Sequence, residues 1–158
     1  MSEVRIRRAV AADLPALEAL GAELQAPHAD RYPEIFVRSG MLPYWQKCLE
    51  AGDHAVLVAE RGGAVIGVAL AQLLDETSPN ALPMKLCRLN MVVVNEKARG
   101  AGVGRLLIEA VEELARQSGA RDIRLSVADF NHSAIAVYER MGYKVRAHVM
   151  GKMIGETD

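Results

Sequence analysis

Residues 94–104 combine glycine and arginine in a pattern that suits phosphate binding. This stretch joins a predicted apolar strand to a predicted amphipathic helix. Its glycines are Gly100, Gly102 and Gly104. Glycines leave backbone N–H groups uncovered, and at a helix N-terminus these groups lie where the macrodipole is positive. Arg99 and Arg105 add cationic donors for phosphate oxygens, so the sequence predicts a pyrophosphate-binding turn.

The glycine spacing does not fit two common phosphate loops. The dinucleotide fingerprint G-x-G-x-x-G needs a third glycine at a position where Arg105 or Leu107 stands. The P-loop needs Gly-Lys-Ser or Gly-Lys-Thr, which this stretch lacks. A dinucleotide oxidoreductase is therefore not supported. A glycine-rich turn without a ligand remains an open interpretation of these residues taken alone.

The elements that would position the turn follow from hydrophobic periodicity. Lys85 to Val94 is predicted as a strand whose apolar end, Met91 to Val94, is typical of the middle of a sheet. Gly102 to Ser118 is predicted as a helix because its apolar residues keep the i, i+3, i+4, i+7 register. Further along, the pattern predicts a strand at Asp122 to Ala128, a helix at Asn131 to Met141 and one or two closing strands at Tyr143 to Ile154.

The first half of the chain predicts a strand, a helix, an irregular segment and a hairpin. The helix is expected to begin at Leu14 with Asp13 as its cap and to end near Gln25. The Gly62-Gly63 pair supplies the positive φ angles of a tight hairpin. The remaining expected elements are a strand at Val4 to Val10, an irregular segment at Pro27 to Gly52 with a short helix at Pro43 to Glu50, and hairpin strands at His54 to Glu60 and Ala64 to Leu74.

Composition limits the classes of protein that this chain resembles. Its 158 residues carry 19 basic and 20 acidic side chains, a balance that disfavours a general nucleic-acid binder. The longest apolar stretch, Ala64 to Ala71, is far short of the ~20 residues of a membrane span, and the N-terminus lacks a signal-peptide core. Cys48 and Cys87 stand alone, which predicts buried reduced thiols rather than a disulfide or a metal site. We therefore expect a cytoplasmic protein without a metal.

Two motifs resemble those of the GCN5-related N-acetyltransferases, the GNAT superfamily. Arg99-x-x-Gly102-x-Gly104 matches the Arg/Gln-x-x-Gly-x-Gly/Ala signature of that family. Asn131 to Tyr143 is similar to its second motif, N-x-x-A-x-x-x-Y-x-x-x-G-F, and follows at the expected spacing. The resemblance implies a single N-acetyltransferase domain over residues 1–158, of the α/β (α+β) class. Its expected sheet is mixed and mostly antiparallel, with six to seven strands, flanking helices and splayed fourth and fifth strands.

The resemblance also implies acetyl-CoA as co-substrate, with no metal. Its pyrophosphate would lie on the glycine turn, and its pantetheine arm would pair like an extra strand with the end of the fourth strand. Such pairing satisfies N–H and C=O groups that a splayed strand leaves open, and a backbone N–H near Val93 would support the thioester oxygen. The cofactor-binding residues implied in this way are Met91, Val92, Val93, Val94, Arg99, Gly100, Ala101, Gly102, Val103, Gly104, Arg105, Asn131 and Tyr138.

Tyr138 is the residue to which the resemblance gives a catalytic role. An amine that attacks the thioester expels a thiolate, and a phenol with a pKa of ~10 suits its protonation. Packing on an apolar helix face is the alternative for Tyr138. Asn131 would bond the pantetheine arm, cap its helix, or do both.

The general base and the acceptor are not specified by the sequence. Relatives carry Glu or Asp where this chain has Asn90 and Met91, which cannot accept a proton from an ammonium group. The remaining candidates are His28, Asp30, Glu34, Asp75, Glu76 and Asp129, beside a relay through water. The segment His28 to Phe36 resembles the acceptor-side loop of small-molecule GNAT enzymes, and its acids would attract a cationic amine. The substrate-binding residues predicted there are His28, Tyr32, Glu34 and Phe36; an ordinary loop is the alternative.

The leading prediction is direct acetyl transfer from acetyl-CoA to an amine, a small molecule rather than a protein, within one ternary complex. The alternative is a CoA-binding sensor or partner module without catalysis. Tyr138 favours the enzyme, whereas the missing strand carboxylate favours the module. No nucleic acid or membrane partner is expected, and a homodimer is a family expectation.

Overall fold

Five strands form one mixed sheet in the order β1-β2-β3-β4-β5. The computed structural model describes residues 3–155. The strands are β1 (Arg5–Arg8), β2 (His54–Arg61), β3 (Ala64–Asp75), β4 (Lys85–Val94) and β5 (Asp122–Leu125). Pairing is antiparallel from β1 to β4, and β5 lies parallel to β4. The predicted mixed, mostly antiparallel sheet is confirmed.

Four α-helices accompany the sheet. They are α1 (Leu14–Arg31), α2 (Leu42–Glu50), α3 (Val103–Gln117) and α4 (His132–Arg140), with short 3-10 turns at Ala11–Asp13 and Glu96–Ala98. The chain divides into two compact units, Met1–Ser126 and Val127–Asp158. The first unit contains the sheet with α1, α2 and α3, and the second contains α4. No helix in the described range is long and apolar enough to cross a membrane.

The number of strands is a correction. Six to seven were expected, but the part of the chain that the structure describes has five. Tyr143 to Ile154 was the predicted source of the extra strands, and residues 143–154 contain none. Val149 and Ile154 are 91% and 87% exposed. An apolar, β-branched pattern forms a strand only where a neighbouring strand supplies hydrogen bonds and side-chain packing.

The two faces of the sheet are covered by different helices. On one face, Val56, Val58, Val68 and Leu70 of β2 and β3 form a core with residues of α1 and α2, whose buried members are Leu17, Leu20, Trp45 and Cys48. Successive residues of a strand point to opposite faces. Gly67 therefore faces the other side, where a Cβ built on it would lie 3.1 Å from the Leu107 side chain of α3. The glycine lets α3 approach the sheet closely.

The first helix begins at Leu14 as predicted, but it ends later than predicted. It continues to Arg31 rather than ending near Gln25, and it contains Pro27. An internal proline costs about 3 kcal/mol because one backbone hydrogen bond is lost. Here the helix persists past the proline, and Ala29 beyond it is only 4% exposed.

Asp13 does not cap α1 with its side chain, contrary to the prediction. Its carboxylate accepts hydrogen bonds from Arg7 Nη1 and Nη2, at 2.8 and 3.0 Å, and from the Val10 N–H at 2.8 Å. A buried carboxylate gains more from a two-pronged guanidinium than from a single helix amide. The Arg7 guanidinium holds the Asp13 pKa below its usual value.

The hairpin, the short second helix and the elements around the glycine turn are confirmed. Gly62 and Gly63 have φ angles of +59° and +80° between β2 and β3, as the turn requires. The helix after the glycine turn buries Val103, Leu107, Val111 and Ala115 along one stripe.

Candidate active site

The glycine turn ends in an open helix N-terminus. Gly100 and Gly102 have φ angles of +84° and +80°, and a Cβ at either would meet nothing within 4 Å. The first backbone bond of α3 runs from the Leu106 N–H to the Gly102 carbonyl, at 3.1 Å. The three preceding N–H groups thus lack a carbonyl partner in the helix, and no side chain of the described residues caps them. Unpaired N–H groups at the positive end of a helix dipole suit an anion such as a pyrophosphate.

Arg99 and Arg105, the two predicted phosphate-binding arginines, lie beside this helix N-terminus, and each has a carboxylate partner. Arg99 Nη2 donates to Glu23 Oε1 at 3.1 Å, and Arg99 Nε donates to the Val94 carbonyl at 3.0 Å. Arg105 Nε donates to Glu109 at 2.9 Å. The side chains of Arg99 and Arg105 are 55% and 67% exposed, so both guanidinium groups have faces that a ligand can contact.

Glu23 of α1 is a site residue that the sequence did not reveal. Its carboxylate also accepts the Glu96 N–H at 2.6 Å, so it holds the turn at two points. Glu23 precedes Arg99 by 76 residues. No local pattern marks such a pair, because only the packing of α1 beside the end of β4 brings them together.

The end of β4 has one open edge within the first unit. Met91 to Val94 pair with β3 through residues 67–70, but β5 pairs only with Leu86 to Leu89. β5 ends at Leu125, so the predicted splay of the fourth and fifth strands is seen only as a loss of pairing beyond Leu89. The register against β3 shifts at Asn90, which lies between the paired residues Leu89 and Met91. A bulge of this kind bends a strand and redirects its side chains.

A cavity of about 270 Å³ opens where β4 and β5 diverge. It is lined by Arg88, Leu89, Asn90, Arg124, Leu125 and Ser126. Arg124 is held by Asp122 at 2.9 Å and by Glu76 at 3.1 Å. The sequence analysis did not single out Arg88 or Arg124. Part of their signal was available, since Arg88 and Arg124 each stand between apolar residues of a predicted strand.

The second unit carries the other two predicted site residues. Asn131 caps α4, because its side chain accepts the Ala134 N–H at 3.2 Å. Tyr138 is half-buried, and its ring meets that of Tyr143 edge-on with centroids 5.7 Å apart. Burial raises the pKa of Tyr138 to about 12, so the phenol stays protonated at neutral pH and is a hydrogen-bond donor.

Three of the four predicted acceptor-side residues, His28, Tyr32 and Phe36, form a cluster of rings at the end of α1. The His28 and Phe36 rings meet edge-on at 5.3 Å, and the Tyr32 and Phe36 centroids are 6.3 Å apart. Tyr32 and Phe36 remain 39% and 37% exposed. His28 Nδ1 lies 2.9 Å from the Leu24 carbonyl. Since a carbonyl only accepts, Nδ1 carries the proton and Nε2 is the acceptor nitrogen of the neutral ring.

The candidate general bases differ in whether their side chains form ion pairs. Asp30 forms an ion pair with Arg38, and Glu76 forms one with Arg124. Glu34, Asp75 and Asp129 are exposed. His28 is the imidazole among these candidates, and its Nδ1 is held by the Leu24 carbonyl.

The two cysteines are not part of the candidate site. Cys48 and Cys87 are buried free thiols, and burial raises the pKa of both, which keeps them unreactive. Residues 3–155 contain no group of three His, Cys, Asp or Glu side chains that could hold a metal ion.

The chain is similar in sequence to known N-acetyltransferases. N-acetyltransferase family 8 member 2 of Rattus norvegicus is 33% identical over 116 residues, which are 66% of this chain and 50% of that protein. The chain spans about half the length of this and other mammalian relatives that it matches. An uncharacterized N-acetyltransferase of Bacillus subtilis, YhfO, is 28% identical over 145 residues, 89% of this chain and 90% of that protein.

A solved structure shows the same fold. The aminoglycoside N-acetyltransferase AAC(6')-Iy, in complex with CoA, matches with a TM-score of 0.79 and 21% identity over 98% of this chain and 97% of that chain. The acetyltransferase (GNAT) family model covers residues 17–143, and both sequence motifs lie inside that match. The chain belongs to the GNAT family of acetyltransferases.

Proposed function

We propose that this protein transfers the acetyl group of acetyl-CoA directly to the amine of a small molecule. The observation that carries the proposal is the junction of β4 and α3. An open helix N-terminus suited to a pyrophosphate follows directly on a strand edge whose N–H and C=O groups lack a neighbouring strand in the first unit. Acetyl-CoA has both matching parts, a pyrophosphate and an amide-containing arm. Its thioester supplies the activated acetyl group and a thiolate leaving group.

The chain's own groups divide the work of binding. The N–H groups of Val103, Gly104 and Arg105 would receive the pyrophosphate, with Arg99 and Arg105 at its sides. The open edge at Met91 to Val94 would pair with the amides of the pantetheine arm. A β4 N–H at that edge would stabilise negative charge on the thioester oxygen as the amine attacks.

Two proton transfers complete the reaction. The new C–N bond forms as the C–S bond breaks, the amine loses a proton and the thiolate gains one. We assign the second transfer to Tyr138, which its second-motif position and its protonated state support. His28 Nε2 is the side-chain acceptor that we propose for the amine proton, directly or through water.

The experiment that tests the proposal compares two glycines with the same backbone strain. Gly102 and Gly63 both have φ of +80° and open space at Cβ, so alanine costs each roughly 1–2 kcal/mol. Thiol release from acetyl-CoA is measured with a panel of amines. Gly102→Ala should raise the KM for acetyl-CoA about tenfold, and Gly63→Ala should leave it unchanged. An equal KM in both variants would contradict pyrophosphate binding at the turn.

A CoA-binding module without catalysis is the second candidate. Asn90 favours it, because the amide stands near the strand divergence where a carboxylate base is expected and cannot accept a proton from an ammonium group. Acetyl-CoA binding with no thiol release for any amine would support the module.

The location and assembly of the protein are further proposals. Two buried free thiols suit a reducing compartment such as the cytoplasm. A homodimer is tested by sedimentation of the purified chain.

A further inference from the structure

Arg88 stands in the wall of the cavity between β4 and β5 and has no part in the pyrophosphate turn. We propose that Arg88 binds a carboxylate of the acceptor, so that the acceptor is an amine that also carries a carboxylate, as an amino acid does. This inference rests on the proposed acetyl transfer and specifies the chemistry of its second substrate.

The cavity brings two arginines together on one face of the sheet. Arg88 and Arg124 are direct partners in the register of β4 and β5, so their side chains project from the same face. Like charges on neighbouring strands repel unless acids neutralise them. Arg124 has two such acids, Asp122 and Glu76.

Arg88 has no such compensation. Across residues 3–155, no hydrogen bond or ion pair joins the Arg88 side chain to another group. Its register partner on β3 is Gln72, whose amide donates to Asp53 at 3.1 Å. Asp53 in turn lies 2.8 Å from His54 Nδ1. Asp53, the acid that contacts this cross-strand row, is therefore engaged by Gln72 and His54.

The position of Arg88 matches an acceptor with two functional groups. Asn90 lies two residues further along β4, about 7 Å at the rise of a strand, and the open edge begins at Met91. An amine held near that edge, where the thioester is proposed to lie, would place an attached carboxylate back toward Arg88. Arginine is the side chain best suited to a carboxylate, since its fork can bind both oxygens.

The same charge disfavours the opposite kind of acceptor. A polycationic amine would meet the unpaired charge of Arg88 in the cavity, and the two acids there that could attract it, Glu76 and Asp122, are bound to Arg124. The predicted attraction through the acceptor-side loop is also weakened, because Asp30 is paired with Arg38. The structure thus favours an acceptor that carries a carboxylate over a polycationic acceptor.

The test uses matched pairs of acceptors. The probes are the standard amino acids and the corresponding amino acid amides, which keep the amine and side chain but lose the carboxylate charge. Spermidine serves as the polycation. Binding to the full chain with CoA is followed by calorimetry, and acetyl transfer by thiol release. The variants are Arg88→Met, Arg88→Lys and the control Arg5→Met, an exposed arginine on β1 at the other edge of the sheet.

The inference predicts that at least one amino acid binds and reacts with an advantage of roughly 10- to 100-fold over its amide, as expected for a charge-assisted contact. Arg88→Met should abolish this advantage, Arg88→Lys should retain part of it, and Arg5→Met should leave it intact. Equal use of an amino acid and its amide would overturn the inference. So would a preference for spermidine, an advantage that survives Arg88→Met, or the failure of every amino acid to bind.

The outcomes separate this inference from the proposed function. Acetyl transfer to amines without a carboxylate preference would leave the proposed function standing and refute the role of Arg88. Carboxylate-selective binding that depends on Arg88, with no acetyl transfer to any probe, would support the role of Arg88 and refute the proposed transfer.

Discussion

Glu23 on α1 and Arg99 in the glycine turn are joined by a hydrogen-bonded ion pair of 3.1 Å. The same carboxylate oxygen receives the Glu96 N–H. The helix that leads to the acceptor-side aromatic cluster is thereby tied to the turn proposed to hold the pyrophosphate. The Glu23–Arg99 pair orders the guanidinium group and the turn before a ligand binds. Less conformational entropy is then lost on binding.

Removing this anchor should weaken acetyl-CoA binding. Glu23→Ala releases two donors and should raise the KM for acetyl-CoA roughly three- to tenfold, the value of about one net hydrogen bond. Glu23→Gln keeps an acceptor oxygen and should stay within twofold of the parent. Steady-state kinetics and calorimetry provide the measurement. A lower KM in both variants would show instead that Glu23 competes with phosphate for Arg99.

Loss of the Tyr138 hydroxyl should lower the rate of acetyl transfer without changing the affinity for acetyl-CoA. Tyr138→Phe keeps the ring packed against Tyr143 but removes the proton donor. We expect kcat to fall about 10²- to 10⁴-fold, the usual contribution of acid–base catalysis, with an unchanged Kd for acetyl-CoA. Tyr143→Phe is the matched control on the same ring pair and should retain most of the activity. Full activity of Tyr138→Phe would refute the assignment.

The pH dependence of kcat should show no deprotonation of the Tyr138 hydroxyl below about pH 11. Burial raises the pKa of Tyr138 from 10.0 to about 12, so the phenol donates throughout the neutral and mildly alkaline range. A raised folded-state pKa also means that the corresponding stability is present below pH 10 and is lost as the pH rises through the folded value. A kcat profile and tyrosinate absorbance measure both effects. A descending kcat limb near pH 9 that disappears in Tyr138→Phe would contradict this prediction.

The ion pair between Arg7 and Asp13 should stabilise the start of α1. Arg7→Leu leaves a carboxylate that is only 8% exposed without its partner and should lower the free energy of unfolding by roughly 2 kcal/mol at pH 7. Arg116→Leu breaks an exposed pair with Glu113 and should cost below about 0.5 kcal/mol. Urea denaturation gives both values.

The acid behaviour of this pair follows from the lowered pKa of Asp13. Its stabilisation is present above the ordinary value of 3.8 and is lost as the pH falls through the lower folded value. The difference between Arg7→Leu and the parent should therefore shrink in strong acid. A constant difference would assign the effect to packing alone.

The local sequence pattern was sufficient to predict the helices and strands around the glycine turn. The apolar run of β4, the strict stripe of α3 and the Gly62-Gly63 hairpin are set by residues adjacent in sequence, because periodicity and positive φ are local properties. The same holds for Asn131, a side chain suited to cap the helix that follows it. These parts of the fold and the position of the glycine turn were predicted within a few residues.

Side-chain partners far apart in sequence were decided by tertiary structure. Asp13 bonds Arg7 instead of its own helix, α1 continues through Pro27, and residues 143–154 form no strand. In each case a local preference of a few kcal/mol yields to burial, ion pairing or the lack of a pairing partner. The cavity with Arg88 and Arg124 belongs to the same class, since strand register alone brings these arginines together.

The sequence by itself determined the family, the turn and the alternation of strands and helices, because motif spacing and periodicity are written along the chain. Only the tertiary structure decided that Glu23 anchors Arg99 and that an uncompensated Arg88 lines the cavity at the strand divergence. Charges find their partners through space, and the distance between two side chains depends on how the elements that carry them pack together.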